Sequence, residues 1–466
     1  MLLLLGGIAT DADARSARSP NDVRRFYSRP DLRPPRLTVL HAGRSGRHLF
    51  LAPSNGPGQR GTLILDGRGD IVWFRPATPL IAMNFRTATY KGERVLTWWE
   101  GRADRGLGRG AHVIMDSSYR AIARLPAGNG RQSDLHEFML TPRGTAIVTS
   151  YEVRPANLSR VGGPPRGKVI GALVQELAIP SARVLFEWRS LDQVPIEESH
   201  AAYTGHAYDY FHINSVDVDA DGNLLVSARN TWGVYKVHRR TGKVLWRLGG
   251  KKSDFRMGPG TAFAWQHDAR HHDAGRVISI FDNSAAPAVA RRSRALMIAL
   301  DRRRKYARLV RQYAHPRGLL APFMGNAQVL PRGDVVVGWG AQPFVTEFRR
   351  DGAVRFDARL PVGGQNYRAF RLPWAGRPHE PPRLVVHTTA GRRRLYVSWN
   401  GATQVVAWRV EAGNSPGGLR SVTTRPRRSF ETPLPVPAGR RFVRAVALGA
   451  GGRVLGRSNT LRLTGT

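Results

Sequence analysis

The sequence predicts an all-β protein, namely a six-bladed β-propeller followed by a small fibronectin-III-like or immunoglobulin-like β-sandwich. Glycine (50 residues) and proline (31) are plentiful in the 466-residue chain, and no long stretch has the apolar period of a helix. A paired-strand unit recurs along residues 38–375, and the pattern changes after it. We therefore expect two domains, 38–375 and 376–466, behind a short N-terminal region.

The N-terminal region has two parts. Residues 1–14 join a short apolar run to Asp11-Ala12-Asp13-Ala14, a small-residue pattern typical of a signal-peptide exit. The run is too short to span a bilayer. The signal-peptide pattern therefore predicts export, with the protein secreted or held at the cell surface. Residues 15–37 are rich in proline and arginine, which predicts an extended lead-in.

The repeated unit consists of two strand pairs. The second pair has the form apolar strand, turn, apolar strand, and is clearest in TLILDGRGDIVWF (62–74) and VYKVHRRTGKVLWRL (234–248). The first pair begins at one of six polar residues, which are His41, Asn84, His136, His212, His267 and Asn326. Six units of about four strands favour a propeller, because a sandwich would not repeat a paired motif six times.

The C-terminal part lacks this repeat. Residues 367–378 are interpreted as a connector, and the apolar runs that follow, around Trp399 and Trp408, are typical of a fibronectin-III-type sandwich. From Arg377 onward arginine is frequent, and the acidic residues are Glu380, Glu411 and Glu431. This basic balance suits contact with an anionic polymer or a cell surface, and it equally suits a solvated accessory domain.

Charge and composition exclude several classes of function. The formal net charge is +38, and only seven of the 72 basic residues are lysine. The arginines are dispersed and no recognition helix, RNA-binding motif or zinc spacing is found, so we predict no nucleic-acid partner. The chain has no cysteine, which excludes disulfides, thiol chemistry and cysteine-bound metals.

The residues that begin the repeats are the candidate site. Equivalent residues of successive blades meet at one channel mouth, because the blades are related by rotation about the channel axis. His136, His212 and His267 fall on three successive repeats, whereas His41 is a weaker candidate in a Gly/Arg-rich turn. Asn214 faces the same side as His212, because strand side chains alternate.

Three other interpretations of these motifs are weaker. Three histidines and a water could form a zinc site, but no short-spaced histidine pair supports one. The run 217–222 resembles the opening of a calcium loop, but its twelfth position is Ala228, where a bidentate glutamate is required. TGKVLW (241–246) resembles the tryptophan docking motif of quinoprotein propellers, yet it occurs cleanly once. We therefore predict no metal and no cofactor.

Four sequence blocks carry a resemblance to a known family, and they are DLHEFMLTPRGTAIVTSY, HINSVDVDADGNLLVSARNTW, WQHDARHHDAGRVISIFDN and GNAQVLPRGDVVVGWG. They resemble blocks of the arylsulfotransferase family, over about residues 38–375. That family consists of secreted or periplasmic six-bladed propellers that move a sulfuryl group between phenols without a nucleotide donor. The resemblance implies a nucleotide-independent enzyme with a small-molecule aryl sulfate donor and a phenolic acceptor.

The resemblance also implies roles for individual residues. His267 in WQHD resembles the histidine that accepts the sulfuryl group, which implies a ping-pong reaction through a sulfohistidine. His136 in DLHEF and His212 in HINS resemble the acid–base and sulfate-binding group, and Arg229 in SARN resembles the arginine that holds sulfate oxygens. The residues that we expect to bind substrate are Asn214, Asn84 and Asn326.

Two other functions remain open at this point. A secreted propeller that binds an anionic ligand or a cell-surface polymer without turnover would not need three histidines at equivalent positions. A sulfatase-like hydrolase would release a phenol without requiring an acceptor.

Overall fold

The computed structural model describes residues 22–43 and 45–463, and this part of the chain consists of β-strands, loops and short 3₁₀ turns. The predicted all-β class is confirmed. The 3₁₀ turns lie at Ser159–Val161, Ser190–Asp192, Ile196–Glu198 and Ala450–Gly452. The predicted signal peptide, residues 1–14, lies outside the described residues. Within those residues, no helix has the length and apolar character needed to cross a membrane.

Six mainly antiparallel sheets, named I to VI, are built from residues 38–372. The strands of sheet I, in spatial order, are Phe370–Leu372, His48–Leu51, Gly61–Leu65 and Ile71–Pro76. Those of sheet II are Ile81–Tyr90, Glu93–Asp104, Leu107–Met115 and Ala121–Leu125. Those of sheet III are Phe138–Leu140, Thr145–Ala156, Gly167–Ala178 and Val184–Arg189, with Tyr208–Asp209 beside the third strand.

Sheets IV to VI continue the same pattern. The strands of sheet IV are Ile213–Val218, Leu224–Ala228, Gly233–Val237 and Val244–Gly249. Those of sheet V are His267–His272, Val277–Asp282, Arg294–Asp301 and Tyr306–Tyr313, with Arg256–Met257 added in parallel. Those of sheet VI are Asn326–Val329, Val335–Gly338, Phe344–Phe348 and Val354–Arg359, with Thr38–His41 outermost. A separate short pair joins Pro53–Asn55 to Gln365–Asn366.

Buried apolar side chains join these sheets into a closed ring. One cluster lies between each sheet and the next, from I and II through to V and VI. A further cluster packs Leu49 and Leu63 of sheet I against Val336 and Phe356 of sheet VI. Each sheet is therefore covered on both faces, which explains strands that are apolar almost throughout, such as Leu224–Ala228.

The first sheet is completed by a strand from the far end of the ring. Phe370–Leu372 pairs with His48–Leu51, so the prediction that residues 367–378 form a connector is wrong as far as Leu372. The prediction that His41 begins the first repeat is also wrong, because His41 is an exposed residue of the outermost strand of sheet VI. Arg368, just before the closing strand, stands where the other sheets have a histidine or asparagine.

The C-terminal part is a two-layer β-sandwich. One layer contains Arg383–Thr389, Arg392–Ser398 and Glu431–Pro435. The other contains Arg420–Pro426, Ala407–Gly413, Phe442–Leu448, Val454–Arg457 and Leu461–Arg462. Apolar residues of both layers, such as Leu395 and Val410, form one core. The sandwich is held against sheet I, where Asn400 exchanges two hydrogen bonds with the backbone of Phe74.

One buried histidine makes the fold sensitive to acid. His112 is fully buried between sheets II and III, stacked on Phe138 with ring centroids 4.4 Å apart. Neither of its ring nitrogens has a hydrogen-bond partner among the described residues. Burial lowers the pKa of His112 to about 3 from the usual 6.5. The unfolded chain therefore binds a proton that the folded chain excludes, and stability falls as the pH drops from 6.5 towards 3.

His112→Phe is accordingly expected to reduce this acid sensitivity, since phenylalanine can stack on Phe138 without a titrating group. The measurement is the free energy of unfolding in denaturant at several pH values between 6.5 and 3. The control is His41→Phe, which changes an exposed histidine. An unchanged pH slope in His112→Phe would contradict the assignment.

Candidate active site

Three of the predicted histidines lie together at the start of neighbouring sheets. His136 and His212 come just before the first strands of sheets III and IV, and His267 begins the first strand of sheet V. The rings of His136 and His212 are close to perpendicular, with centroids 5.0 Å apart. His267 is close enough to both for their charges to lower its pKa. These three repeat positions therefore converge, as the sequence predicts.

The hydrogen bonds of Asn283 fix the tautomer of His267. The Nδ2 group of Asn283 donates to the carbonyls of Ala321 and Met324, at 2.9 Å in each case, so its Oδ1 faces the imidazole. This oxygen accepts the Nδ1–H of His267 at 2.7 Å, which leaves the lone pair on Nε2. The Met324 amide donates a long hydrogen bond of 3.3 Å to Nε2. Nε2 is therefore the nucleophilic atom of this ring.

The surroundings of His267 keep its imidazole neutral. Burial lowers the pKa of His267 well below its ordinary value, and the positive charge of Arg229 lowers it further. The partner at Nδ1 is an uncharged amide, which does not stabilise an imidazolium as a carboxylate would. A neutral imidazole has a free electron pair and can act as a nucleophile at ordinary pH.

His136 and His212 differ from His267 in having carboxylate partners. Nδ1 of His136 lies 2.5 Å from Oδ2 of Asp134, and Nδ1 of His212 lies 2.5 Å from Oδ2 of Asp209. A carboxylate at Nδ1 orients the ring and stabilises the imidazolium while Nε2 exchanges a proton. Burial lowers the pKa of His136, and Asp134 opposes this effect. Both pairs are suited to acid–base chemistry.

Arg229 is a half-buried cation without a carboxylate in contact. Its guanidinium lies over the ring of Trp265, 4.7 Å from the centroid, and donates to Oδ1 of Asn230 at 2.9 Å. No carboxylate of the described residues forms an ion pair with Arg229, and burial lowers its pKa to about 10. A guanidinium in this state attracts an anion, and its planar donors match the oxygens of a sulfate group.

A cavity of about 840 Å³ opens beside Arg229 and beside the carboxylate partner of His212. Arg229, Asp209, Tyr151 and Trp265 contribute to its wall, together with the tip of the long hairpin of sheet II. Gly106 at this tip has φ +85°, and a Cβ atom there would lie 3.0 Å from Cε1 of His212 and 3.5 Å from its Nε2. The hairpin therefore covers His212 closely, and a side chain at this position would press against the ring.

The three asparagines that we expect to bind substrate are buried and bond to the protein itself. Nδ2 of Asn214 donates to a backbone carbonyl at 2.6 Å, and Oδ1 of Asn84 accepts a hydrogen bond from Arg368 at 3.1 Å. Asn326 donates to the carbonyl of Ala369 and accepts from its amide, at 2.9 and 2.8 Å. Asn326 thus links sheet VI to the closing strand of sheet I. The substrate-binding role of all three stays a prediction.

A buried charged group next to the histidines was not predicted from the sequence. Glu137 is fully buried and forms ion pairs with Arg86, Arg270 and Arg368. Burial alone would raise the pKa of Glu137, but the three guanidinium groups hold it well below its usual range. Glu137 directly follows His136 in DLHEF, so the sequence places this one residue of the charged group next to the predicted site.

A tyrosine next to this group fixes the backbone of the site. The hydroxyl of Tyr367 donates towards the carbonyls of His136 and Asn214, at 3.2 and 3.1 Å. Nη2 of Arg368 also donates to the Asn214 carbonyl, at 2.8 Å. Tyr367 and Arg368 belong to the segment interpreted as a connector, so their role was not foreseen.

The described residues contain no cluster of side chains suited to bind a metal ion. No group of three or more His, Cys, Asp or Glu side chains in residues 22–43 and 45–463 is arranged to hold a metal ion.

Comparisons with known proteins give one sequence family. The sequence model of the family described as "Arylsulfotransferase (ASST)" matches residues 86–360, more than half of the chain. The match includes all three clustered histidines and Arg229. No curated protein sequence matches the chain.

Among solved structures, the similarity is low. A protein of unknown function from Bacteroides caccae has 14% identity and a TM-score of 0.44, covering 70% of this chain and 98% of its own. Catalytically inactive virginiamycin B lyase from Staphylococcus aureus with quinupristin has 7% identity and a TM-score of 0.37, covering 78% of this chain and 96% of its own. Membership of a family follows from the sequence match: the chain belongs to the arylsulfotransferase family.

Proposed function

We propose that the protein transfers a sulfuryl group from a phenolic sulfate ester to a phenolic acceptor, without a nucleotide donor, through a sulfohistidine at His267. Family membership supports sulfotransferase activity. The observation that carries the proposed mechanism is the tautomer of His267, whose Nε2 has a lone pair near Arg229. The site therefore combines a nucleophile with a cation for the sulfate oxygens.

We also propose that sheets I to VI are the six blades of one propeller and that the sandwich is fibronectin-III-like. The support is the closed series of apolar clusters and the strand that completes sheet I from the far end of the ring. On this view each histidine is delivered to the same mouth by its own blade.

In the first half of the proposed reaction, Nε2 of His267 attacks sulfur while the bond from sulfur to the phenolic oxygen breaks. The electron pair of that bond leaves on the phenolic oxygen. Sulfuryl transfer resembles phosphoryl transfer in its loose transition state, with charge spread over the peripheral oxygens. Arg229 donates to these oxygens, and the new nitrogen–sulfur bond replaces the long Met324 hydrogen bond.

We assign proton transfer to His212. Its side chain is 11% exposed against 4% for His136, and its partner Asp209 lines the cavity. Nε2 of His212 gives a proton to the departing phenolate, and in the second half it takes one from the acceptor phenol. The acceptor oxygen then attacks sulfur, the nitrogen–sulfur bond breaks, and its electron pair returns to His267. His136 positions the sulfate group.

Arg229→Ala is expected to lower kcat/KM for an aryl sulfate by roughly 10- to 150-fold, because a charged hydrogen bond contributes about 1.5–3 kcal/mol. Steady-state kinetics with a chromogenic aryl sulfate measure this loss. The control is Arg109→Ala, which removes an exposed arginine from the wall of the same cavity. Equal losses in both variants would show that net charge, rather than a contact of Arg229, explains the effect.

The proposed function is tested by incubating the protein with an aryl sulfate, with and without a phenol acceptor. The expected result is release of the donor phenol that depends on acceptor, with formation of the acceptor's sulfate ester. Release without acceptor would indicate a hydrolase. Binding of the aryl sulfate with no product would indicate a binding protein.

Export, and contact of the basic C-terminal domain with an anionic polymer or cell surface, are further parts of the proposal. They are supported by the N-terminal sequence pattern and by the excess of arginine after residue 376.

A further inference from the structure

Few polar contacts hold the guanidinium of Arg229 in its position. Other arginines near this site are held by a carboxylate, as Arg270 and Arg368 are by Glu137. Arg229 has one hydrogen bond of 2.9 Å to Asn230 and two weak contacts, of 3.5 and 3.4 Å, to the carbonyls of Ala286 and Pro322. These polar contacts are few for a long side chain with many rotamers, so another group must restrict the guanidinium.

Trp265 is placed to supply that restriction. The guanidinium of Arg229 lies 4.7 Å from its ring centroid, and such a contact is strongest when both groups are shielded from water. Trp265 is 3% exposed. Its indole N–H donates to the carbonyl of Pro287 at 3.0 Å, which fixes the plane of the ring. The indole beneath Arg229 is therefore held in place by its own hydrogen bond.

A second aromatic layer supports Trp265. Trp232 meets it edge-on at 5.2 Å, and His200 stacks on Trp232 at 3.7 Å with an angle of 5° between the rings. Trp265 and Trp232 have φ values of +55° and +52°, which bulky residues rarely adopt. Such conformations cost free energy and persist where surrounding contacts enforce them. Together, these contacts hold the indole of Trp265 in one place.

Trp265 lies two residues before the nucleophile, in the segment that leads into the first strand of sheet V. Gln266 separates it from His267, and Nε2 of Gln266 donates to Ser227, Ala228 and Gly233 of sheet IV at 2.9 to 3.1 Å. These bonds join the start of sheet V to the strand end that carries Arg229.

We propose that Trp265 is a positioning residue that holds the guanidinium of Arg229 at a fixed place relative to His267. This inference rests on the proposed function. Without the indole, a guanidinium that lacks a carboxylate partner moves into the adjoining cavity. The sulfate oxygens then lose an aligned donor, and His267 loses a nearby positive charge.

The charge effect has a definite sign. The charged and titratable groups that act on His267 are Arg229, His136 and His212, and all three lower its pKa, in addition to burial. Removing Arg229 from its place therefore raises the pKa of His267 towards the ordinary value. As the pH is lowered, His267 then loses its neutral form at a higher pH than in the wild-type protein.

A double-mutant cycle of Trp265→Ala and Arg229→Ala tests the inference. Trp265→Ala alone is expected to lower kcat/KM by roughly 3- to 30-fold, the size of a shielded cation–π contact. In the Arg229→Ala background it is expected to cost almost nothing, because the residue acts through Arg229. Trp265→Phe, which retains an aromatic face, should recover most of the activity and also controls for misfolding. An equal loss in both backgrounds would overturn the inference.

A readout that needs no turnover keeps this test separate from that of the proposed function. NMR titration of isotopically labelled histidines reports the pKa of His267, with His267→Asn identifying its signal. The expected result is a rise in this pKa in Trp265→Ala that equals the rise in Arg229→Ala, with little change in Trp265→Phe. An unchanged pKa in Trp265→Ala would overturn the positioning role, whereas an inactive wild-type protein would overturn only the proposed function.

Discussion

His267→Asn is expected to abolish transfer from an aryl sulfate, with a loss of at least about 10⁴-fold in kcat, because a covalent mechanism stops without its nucleophile. Asparagine offers no ring nitrogen with a basic lone pair. Its smaller volume leaves the hydrogen bonds of Asn283 to two backbone carbonyls in place. The variant should therefore remain folded, which circular dichroism and thermal unfolding can measure alongside the kinetics.

The matched control is His206→Asn, because His206 lines the same cavity but is exposed. This variant should retain nearly all activity. If His267→Asn turned over aryl sulfates at a rate close to that of the control, His267 would not be the nucleophile.

His212→Asn is expected to have an effect that grows with the pKa of the leaving phenol. For donors whose phenol has a pKa of about 10, loss of the proton donor should lower kcat/KM by about 10²–10⁴-fold. For nitrophenyl donors the loss should be small, because a nitrophenolate leaves without protonation. The measurement is kcat/KM across a series of substituted phenyl sulfates.

His136→Asn distinguishes the two imidazole–carboxylate pairs. If His136 positions the sulfate group, its loss should lower kcat/KM by a similar factor for every donor in the series. A slope against leaving-group pKa in His136→Asn, with none in His212→Asn, would exchange the roles assigned to the two residues.

The sequence was sufficient to predict the all-β class and the grouping of three histidines. Both follow from local patterns: turn residues bound each strand, and one polar residue recurs at the start of successive repeats. The structure places His136, His212 and His267 together for that reason. The partners of the first two, Asp134 and Asp209, also stand within three residues of their histidines.

The remaining parts of the site depend on contacts between residues distant in the chain, which a single sequence does not reveal. His41 was assigned to the first repeat because it precedes the other repeats in the sequence. The first sheet is instead completed by a strand from the far end of the ring, which follows Arg368. Likewise, Trp265 meets Arg229 only because sheets IV and V are neighbours. The alternation of strand side chains correctly predicts that Asn214 faces inward. It does not show that the amide of Asn214 already donates a hydrogen bond to a backbone carbonyl.

The most direct test of the central claim is detection of sulfohistidine at residue 267. The protein is incubated with an aryl sulfate without acceptor, kept at alkaline pH, digested with trypsin and analysed by mass spectrometry. Residues 257–270 form one tryptic fragment in which His267 is the only histidine. We predict a mass increase of one SO₃ group on this fragment, which disappears when a phenol is added and does not form in His267→Asn. Transfer without this adduct, or with the adduct on another histidine, would contradict the proposed mechanism.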